Sequence, residues 1–203
     1  MPRPFIVASA LLAIIAITSG STLAQDDTPT LDFETPDPVE CRIAARSNES
    51  IAAALASPVA GTPSPATPSS DMAAGEPADA ETVESVTALV REATACGNAG
   101  DYRRVFALYT DNGLRVFAAD RGMAVEQLTG FLAATPVPLP EESRQAARVR
   151  EVRIETDGRV TAFADFRSPE GIGTVFVGLI RQGDRYFVDS EVVVPPTPGT
   201  PVP

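Results

Sequence analysis

Two carboxylates fall where a strand pattern is otherwise apolar. Asp165 interrupts the run from Val160 to Phe166, and Asp189 interrupts the run from Tyr186 to Val194, with Glu191 two residues on. Either aspartate could face a cavity. Strand alternation equally sends half of the side chains to solvent, where a carboxylate is only a surface charge. Tyr102 and Tyr109 share the apolar stripe of one short helix, so each ring packs and each hydroxyl needs water or a capping partner. Cys41 and Cys96 are the two cysteines. An even count behind an export signal favours a disulfide, and two free thiols with Cys96 as a small buried residue is the other reading. Across a loop of this length a bond would contribute about 4 kcal/mol by chain entropy. Arg148, Arg150 and Arg153 cluster as the sheet begins, either as an anion site or as a solvated edge that discourages strand pairing.

Other chemistries are excluded. The chain has no His, so a Cys/His metal site cannot form. It lacks the Asp-rich loop with glycine and distal glutamate that calcium requires. There is no Gly-rich phosphate loop and no Gly-x-Ser-x-Gly nucleophile, and Asp157, Glu170 and Asp184 are turn residues. No cofactor and no metal is implied.

The elements that must position these groups begin at Ala95–Gly113. Gly97 and Asn98 tolerate a positive φ and can close one helix, Gly100 adds a flexible point, and Asp101 can cap the next. Tyr102, Val105, Phe106 and Tyr109 then line one helical face, with Arg103 and Arg104 off it. Asp111-Asn112-Gly113 reads as a stop.

At the N-terminus, Arg3, an apolar run from Phe5 to Thr18 and small residues up to Ala24 read as a signal peptide over 1–24, cut before Gln25. The alternative is an uncleaved membrane anchor, although the run is short for a span of ~20 residues. The expected localisation is secreted or extracytoplasmic, with no membrane association after cleavage. Loss of Arg3 takes the formal charge from −11 to −12, which argues against nucleic acid as a partner. All the basic residues are arginine. Residues 25–56 form a lead containing Cys41 and a short helix from Ser47 or Asn48 to before Pro58. Its first part, Gln25 to Glu40, reads as extended or disordered. A linker rich in Pro, Ser, Thr and Ala spans 57–80, and a Pro-rich disordered tail spans 195–203.

The folded unit is expected over 81–194, long enough for one core. Its first helix places Val83, Val86, Leu89, Val90, Ala93 and Cys96 on one face. Leu114 to Ala118 is a short apolar piece, strand or irregular. Met123 to Ala134 reads as a third helix, and Pro140 to Ala147 as a short fourth. The period then changes to two. Strands begin around Val152 and Val160 with a hairpin at Asp157-Gly158, and a loop covers Ser168 to Gly173. A central strand spans Thr174 to Ile180, and Gln182-Gly-Asp184 turns it into the last. This order gives an α+β fold, with N-terminal helices packed on the concave face of a curved antiparallel sheet of about four strands.

Three features resemble the nuclear transport factor 2-like (SnoaL-like, cystatin-like cone) superfamily. They are the helix–Gly-Asp–helix of Asn98 to Asp111, the closing hairpin of Val175 to Asp189, and no helix after the sheet. The chain looks like a secreted bacterial branch without assigned chemistry. The resemblance implies a cone-shaped α+β barrel, and fold alone does not give function. Enzymes of the superfamily often use a His-Asp pair, which this chain lacks, or a Tyr with two Asp. The second arrangement would make Asp165 or Asp189 the base and Tyr102 or Tyr109 the acid of a small isomerase or lyase. Nothing in the sequence demands an enzyme. The leading expectation is a non-catalytic cone that binds a small apolar ligand or a protein partner. Its pocket would be walled by Phe106, Tyr109, Phe131, Phe163 and Phe176. A homodimer through the outer sheet face is a further expectation.

Overall fold

A computed structural model describes residues 32–57 and 75–195, apart from the side chains of Val125, Glu126 and Phe131. The residues expected to form a signal peptide, most of the expected linker and nearly all of the expected tail lie outside the described residues.

The fold is α+β. Five antiparallel strands form an open sheet in sequence order. They are β1 (Glu76–Pro77), β2 (Ala146–Ile154), β3 (Val160–Ser168), β4 (Gly171–Gln182) and β5 (Arg185–Val194). Gly158 and Gly183 take positive φ at the expected hairpins, where a Cβ would be strained. The β3–β4 loop is tighter than the sequence suggests, because Ser168 pairs directly with Gly171. The sheet is bulged twice, between Arg150 and Arg153 of β2 and at Gly178/Leu179 of β4 opposite Asp189.

Helix α1 spans Asn48–Ala56, α2 Ala80–Asn98, α3 Tyr102–Phe106, α4 Asp111–Asp120 and α5 Val125–Leu132. Asp79 caps α2 by accepting from the Thr82 N–H at 2.7 Å. Its stripe of Val86, Leu89 and Val90 packs on Val149, Val160, Ala162, Ala164, Val177, Leu179 and Val188 of the sheet. Each such large aliphatic side chain, fully buried, contributes about 1.5–3 kcal/mol. A second apolar cluster joins Ile51 and Ala54 of α1 to Phe106, Leu114, Leu128 and Leu132.

Three expectations are corrected. Asp111-Asn112-Gly113 does not stop a helix but opens one. Thr110 caps α4 by accepting from the Gly113 N–H at 2.9 Å, so the apolar piece from Leu114 to Ala118 is helical. A run of Asp, Asn and Gly suits a helix first turn as well as a turn. Helix α3 accordingly ends at Phe106, and Tyr109 lies beyond it, bridged in parallel to Val188. The segment after Pro140 is only a 3₁₀ turn, Glu141–Ser143, before β2 begins.

The lead is structural. Glu34 forms an antiparallel bridge to Ala147, so β2 has one end of its edge covered by the lead and the other by β1. Cys41 and Cys96 are disulfide-bonded across a separation of 55 residues. Arg104 donates to the Cys41 carbonyl at 2.7 Å, and the Ile43 N–H donates to Glu92 at 2.9 Å. Ile51 is fully buried. Residues 32–57 therefore share the core that the sequence assigned to 81–194.

Candidate functional site

The C-terminus of α2 does not take the left-handed turn at Gly97 or Asn98; Gly100 does, at φ 69°. Asn98 is instead fully buried. Its amide donates to the carbonyls of Pro36 (3.1 Å) and Gln145 (3.0 Å), and its carbonyl accepts from the Gln145 N–H at 2.8 Å. The main-chain carbonyl of Asn98 accepts from the Leu139 N–H at 2.7 Å. One amide thus joins the lead, α2 and the entry to β2, and it fixes where α3 departs.

Asp165 is buried on the sheet face opposite α2, at 2% exposure. Arg148 and Arg150 donate to its Oδ2 at 2.8 and 3.1 Å, and Thr174 donates to Oδ1 at 2.8 Å. Burial pushes this carboxyl up, but the hydrogen bonds from Thr174, Arg148 and Arg150, with the Arg150 charge, outweigh it and hold it below the usual range. A carboxylate held this way is a weak base. Arg148 and Arg150 serve neither as a solvated edge nor as a vacant anion site, since the anion they hold is Asp165. Arg153 turns to the Gly75 carbonyl at 3.0 Å.

Asp189 sits at the β5 bulge. It accepts from the Thr110 hydroxyl at 2.6 Å and from Asn112 at 3.3 Å, and its main-chain carbonyl accepts from Asn112 at 3.0 Å. These bonds seat the N-terminus of α4 on the sheet. The approach is close. A Cβ on Gly113 would lie 2.2 Å from the Val188 carbonyl oxygen. An open groove of about 610 Å³ runs along this seam, lined by Tyr109, Thr110, Asn112, Phe187 and Asp189 among others. Arg46 enters it from the lead, pairing with Asp111 and donating to the Tyr109 carbonyl at 3.3 Å.

Tyr109 places its hydroxyl away from both aspartates. It donates to Glu191 Oε2 at 2.5 Å, and Glu191 is only 5% exposed. The Tyr109 phenol is raised well above its ordinary range, by burial first and then by the Glu191 charge and hydrogen bond, with Arg121 opposing. It therefore remains a protonated donor. Phe106, Tyr109 and Phe117 meet edge to face, with centroids 5.0 to 6.0 Å apart. Phe117 and Glu191 gave no signal in the sequence as partners, because their meeting depends on α4 being helical.

The other expected site residues disperse. Tyr102 borders a separate hollow of about 210 Å³ with Gly100, Leu132 and Val137. Phe163 and Phe176 pair at 5.2 Å on the sheet face that carries Asp165, away from Phe106 and Tyr109. The Phe131 side chain lies outside the described residues. The four described aromatics therefore do not wall one pocket. Among the described residues no group of three or more His, Cys, Asp or Glu side chains could hold a metal ion, and no helix is long and apolar enough to cross a membrane. The chain matches no protein-family model, no curated protein and no solved structure.

Proposed function

We propose that this chain is a secreted, non-catalytic binding domain with the cone-shaped fold of the nuclear transport factor 2-like superfamily. Its ligand is small and largely apolar, and it is held where α3, α4 and β5 meet. The observation that carries this reading is that each candidate base already accepts a hydrogen bond from the chain itself. Asp165 is held by two arginines and a threonine, Asp189 by Thr110 and Asn112, and Glu191 by Tyr109. A general base needs a free lone pair within reach of a substrate proton and a pKa near the working pH. Asp165, under three donors and held below the usual carboxylate range, meets neither need, and the donors on Asp189 and Glu191 are structural contacts of the chain itself. What remains is recognition chemistry, in the form of three edge-packed rings beside a polar groove. The two bulges support a bent sheet, since each bulge adds local twist and kink. The disulfide suits an oxidising compartment, in keeping with the signal-peptide reading.

The test is native mass spectrometry of the protein purified from its host, together with the D189N and E191Q variants. The expected spectrum shows a noncovalent small-molecule adduct that D189N retains. A recovered ligand that exchanges a carbon-bound hydrogen with deuterated solvent only when the protein is present and Asp189 intact would replace this reading with an isomerase or lyase.

A further inference from the structure

The seam between α4 and β5 holds a cation in an aromatic and acidic box, and that cation belongs to the chain itself. The Arg121 guanidinium lies 3.8 Å from the Phe117 ring centroid. One of its nitrogens lies 2.6 Å from Glu191 Oε1. Tyr109 braces both partners, its ring edge-to-face with Phe117 at 5.9 Å and its hydroxyl on the other Glu191 oxygen. A ring face beside a buried carboxylate is a pairing that recognises organic cations.

Arg121 fills the box poorly. Glu191 Oε1 is a buried acceptor with no hydrogen-bond partner, although the guanidinium is within reach. The nitrogen approaches outside hydrogen-bond geometry. The same guanidinium makes only a long 3.4 Å bond to the Phe117 carbonyl. The tether explains the misfit. Arg121 is the C-cap of α4, five residues or fewer from the ring it covers, so its fork cannot turn square to the carboxylate. A free guanidinium could, and two parallel N–H donors on one carboxylate are the stronger arrangement. The tether is also free to swing. The Arg121 side chain is 34% exposed. Gly122 follows at φ 59°, with nothing within 4 Å of where its Cβ would be.

We infer that Phe117, Tyr109 and Glu191 form a recognition site for the guanidinium or primary ammonium head of an otherwise apolar small molecule, and that Arg121 occupies it as a built-in competitor. This rests on the reading of the chain as a binding domain, whose ligand class it names. Entry of the ligand head releases Arg121 to solvent. Apparent affinity is lowered by the fraction of molecules in which Arg121 is in place.

The experiment uses methylguanidinium chloride at millimolar concentration against equal sodium chloride, on the full mature chain, read by calorimetry and by melting temperature. R121A should bind at least ~10-fold more tightly than the wild type, because the competitor is gone. R121A/E191Q should show no binding heat. Folded R121A with no heat and no shift in melting temperature overturns the proposal, as does binding that survives E191Q. If R121A does not fold, R121Q keeps the side-chain length without the charge and carries the same comparison. Failure of both to fold, without rescue by methylguanidinium, also overturns it. Binding of methylguanidinium by protein that leaves its host without an adduct keeps the site and removes the wider binding-domain reading, so the two failures are separable.

Discussion

Asn98 is the residue on which we expect a single substitution to act most widely. In Asn98→Ala the two donor bonds to Pro36 and Gln145 and the acceptor bond from Gln145 are lost together. Each such bond contributes about 0.5–1.5 kcal/mol net, so the loss is about 3 kcal/mol. The site is fully buried, so water cannot readily replace the amide without opening the junction. With a urea dependence of about 2 kcal/mol per molar, the midpoint should fall by about 1.5 M at unchanged slope. Asn98→Asp should be no better than alanine. It keeps the acceptor for Gln145 but sets a carboxylate against two carbonyls. Amide exchange should rise at Glu34 and Ala147, which bridge the lead to β2, before it rises in β4. A midpoint change under about 0.3 M would refute the reasoning. The junction would then be held by the disulfide and by α1 packing, with the amide incidental.

Two further outcomes follow from the geometry. The Asp165 carboxyl is depressed in the folded state. Its contribution is therefore complete above the ordinary carboxylate pKa of about 3.9 and is lost as pH falls through the lower folded value. Wild-type stability should drop in that acid window, and D165N should be flatter there and less stable at neutral pH by about 2 kcal/mol, allowing for its partly exposed arginine partners. Equal acid sensitivity in both proteins would refute the assignment. Gly113→Ala and Gly97→Ala should move in opposite directions. The first drives a Cβ to 2.2 Å from the Val188 carbonyl and should cost about 2 kcal/mol as α4 lifts from β5. The second meets nothing within 4 Å inside α2 and should stabilise by about 0.5 kcal/mol. Thermal melts of the two variants check this, and a destabilised Gly97→Ala or a neutral Gly113→Ala would contradict it.

The elements legible in the sequence were those with a strong period. The apolar face of α2 and the two hairpin glycines fall where the pattern puts them. The disulfide between Cys41 and Cys96 is the pairing that the even cysteine count favoured. The seam was not legible, for a local reason. Thr110 caps a helix through a residue type that also ends one, and Asp111, Asn112 and Gly113 suit either outcome. Tertiary contact decides it, because Asp189 accepts from Thr110 and Asn112, and Asp189 lies far along the chain. Reading a stop there hid α4, and with it Phe117 and Arg121. The lead misled in the same way. Its few apolar residues show no period over Gln25–Glu40, yet Glu34 is fixed by backbone hydrogen bonds to Ala147 and the Pro36 carbonyl by the Asn98 side-chain amide, which no hydropathy pattern encodes.

The exclusive use of arginine gains a structural meaning from these contacts. Arg148 lies 4.4 Å from the Phe33 ring while donating to Asp165, Arg167 lies 4.7 Å from the same ring, Arg150 lies 4.4 Å from Phe163, and Arg121 caps Phe117. A planar, weakly hydrated cation can stack on a ring and donate in its own plane at once, whereas an ammonium is a compact and strongly hydrated point charge. The buried acids of this chain are thus held by cations that also cover its half-buried rings. Lysine at 148 or 150 would keep the charge on Asp165 but leave Phe33 or Phe163 more open to water. At Arg121 that double role is the weakest, since the ring contact is close and the acid contact is off-angle. For that reason the seam, rather than the better-satisfied Asp165 network, is where an outside cation has something to gain.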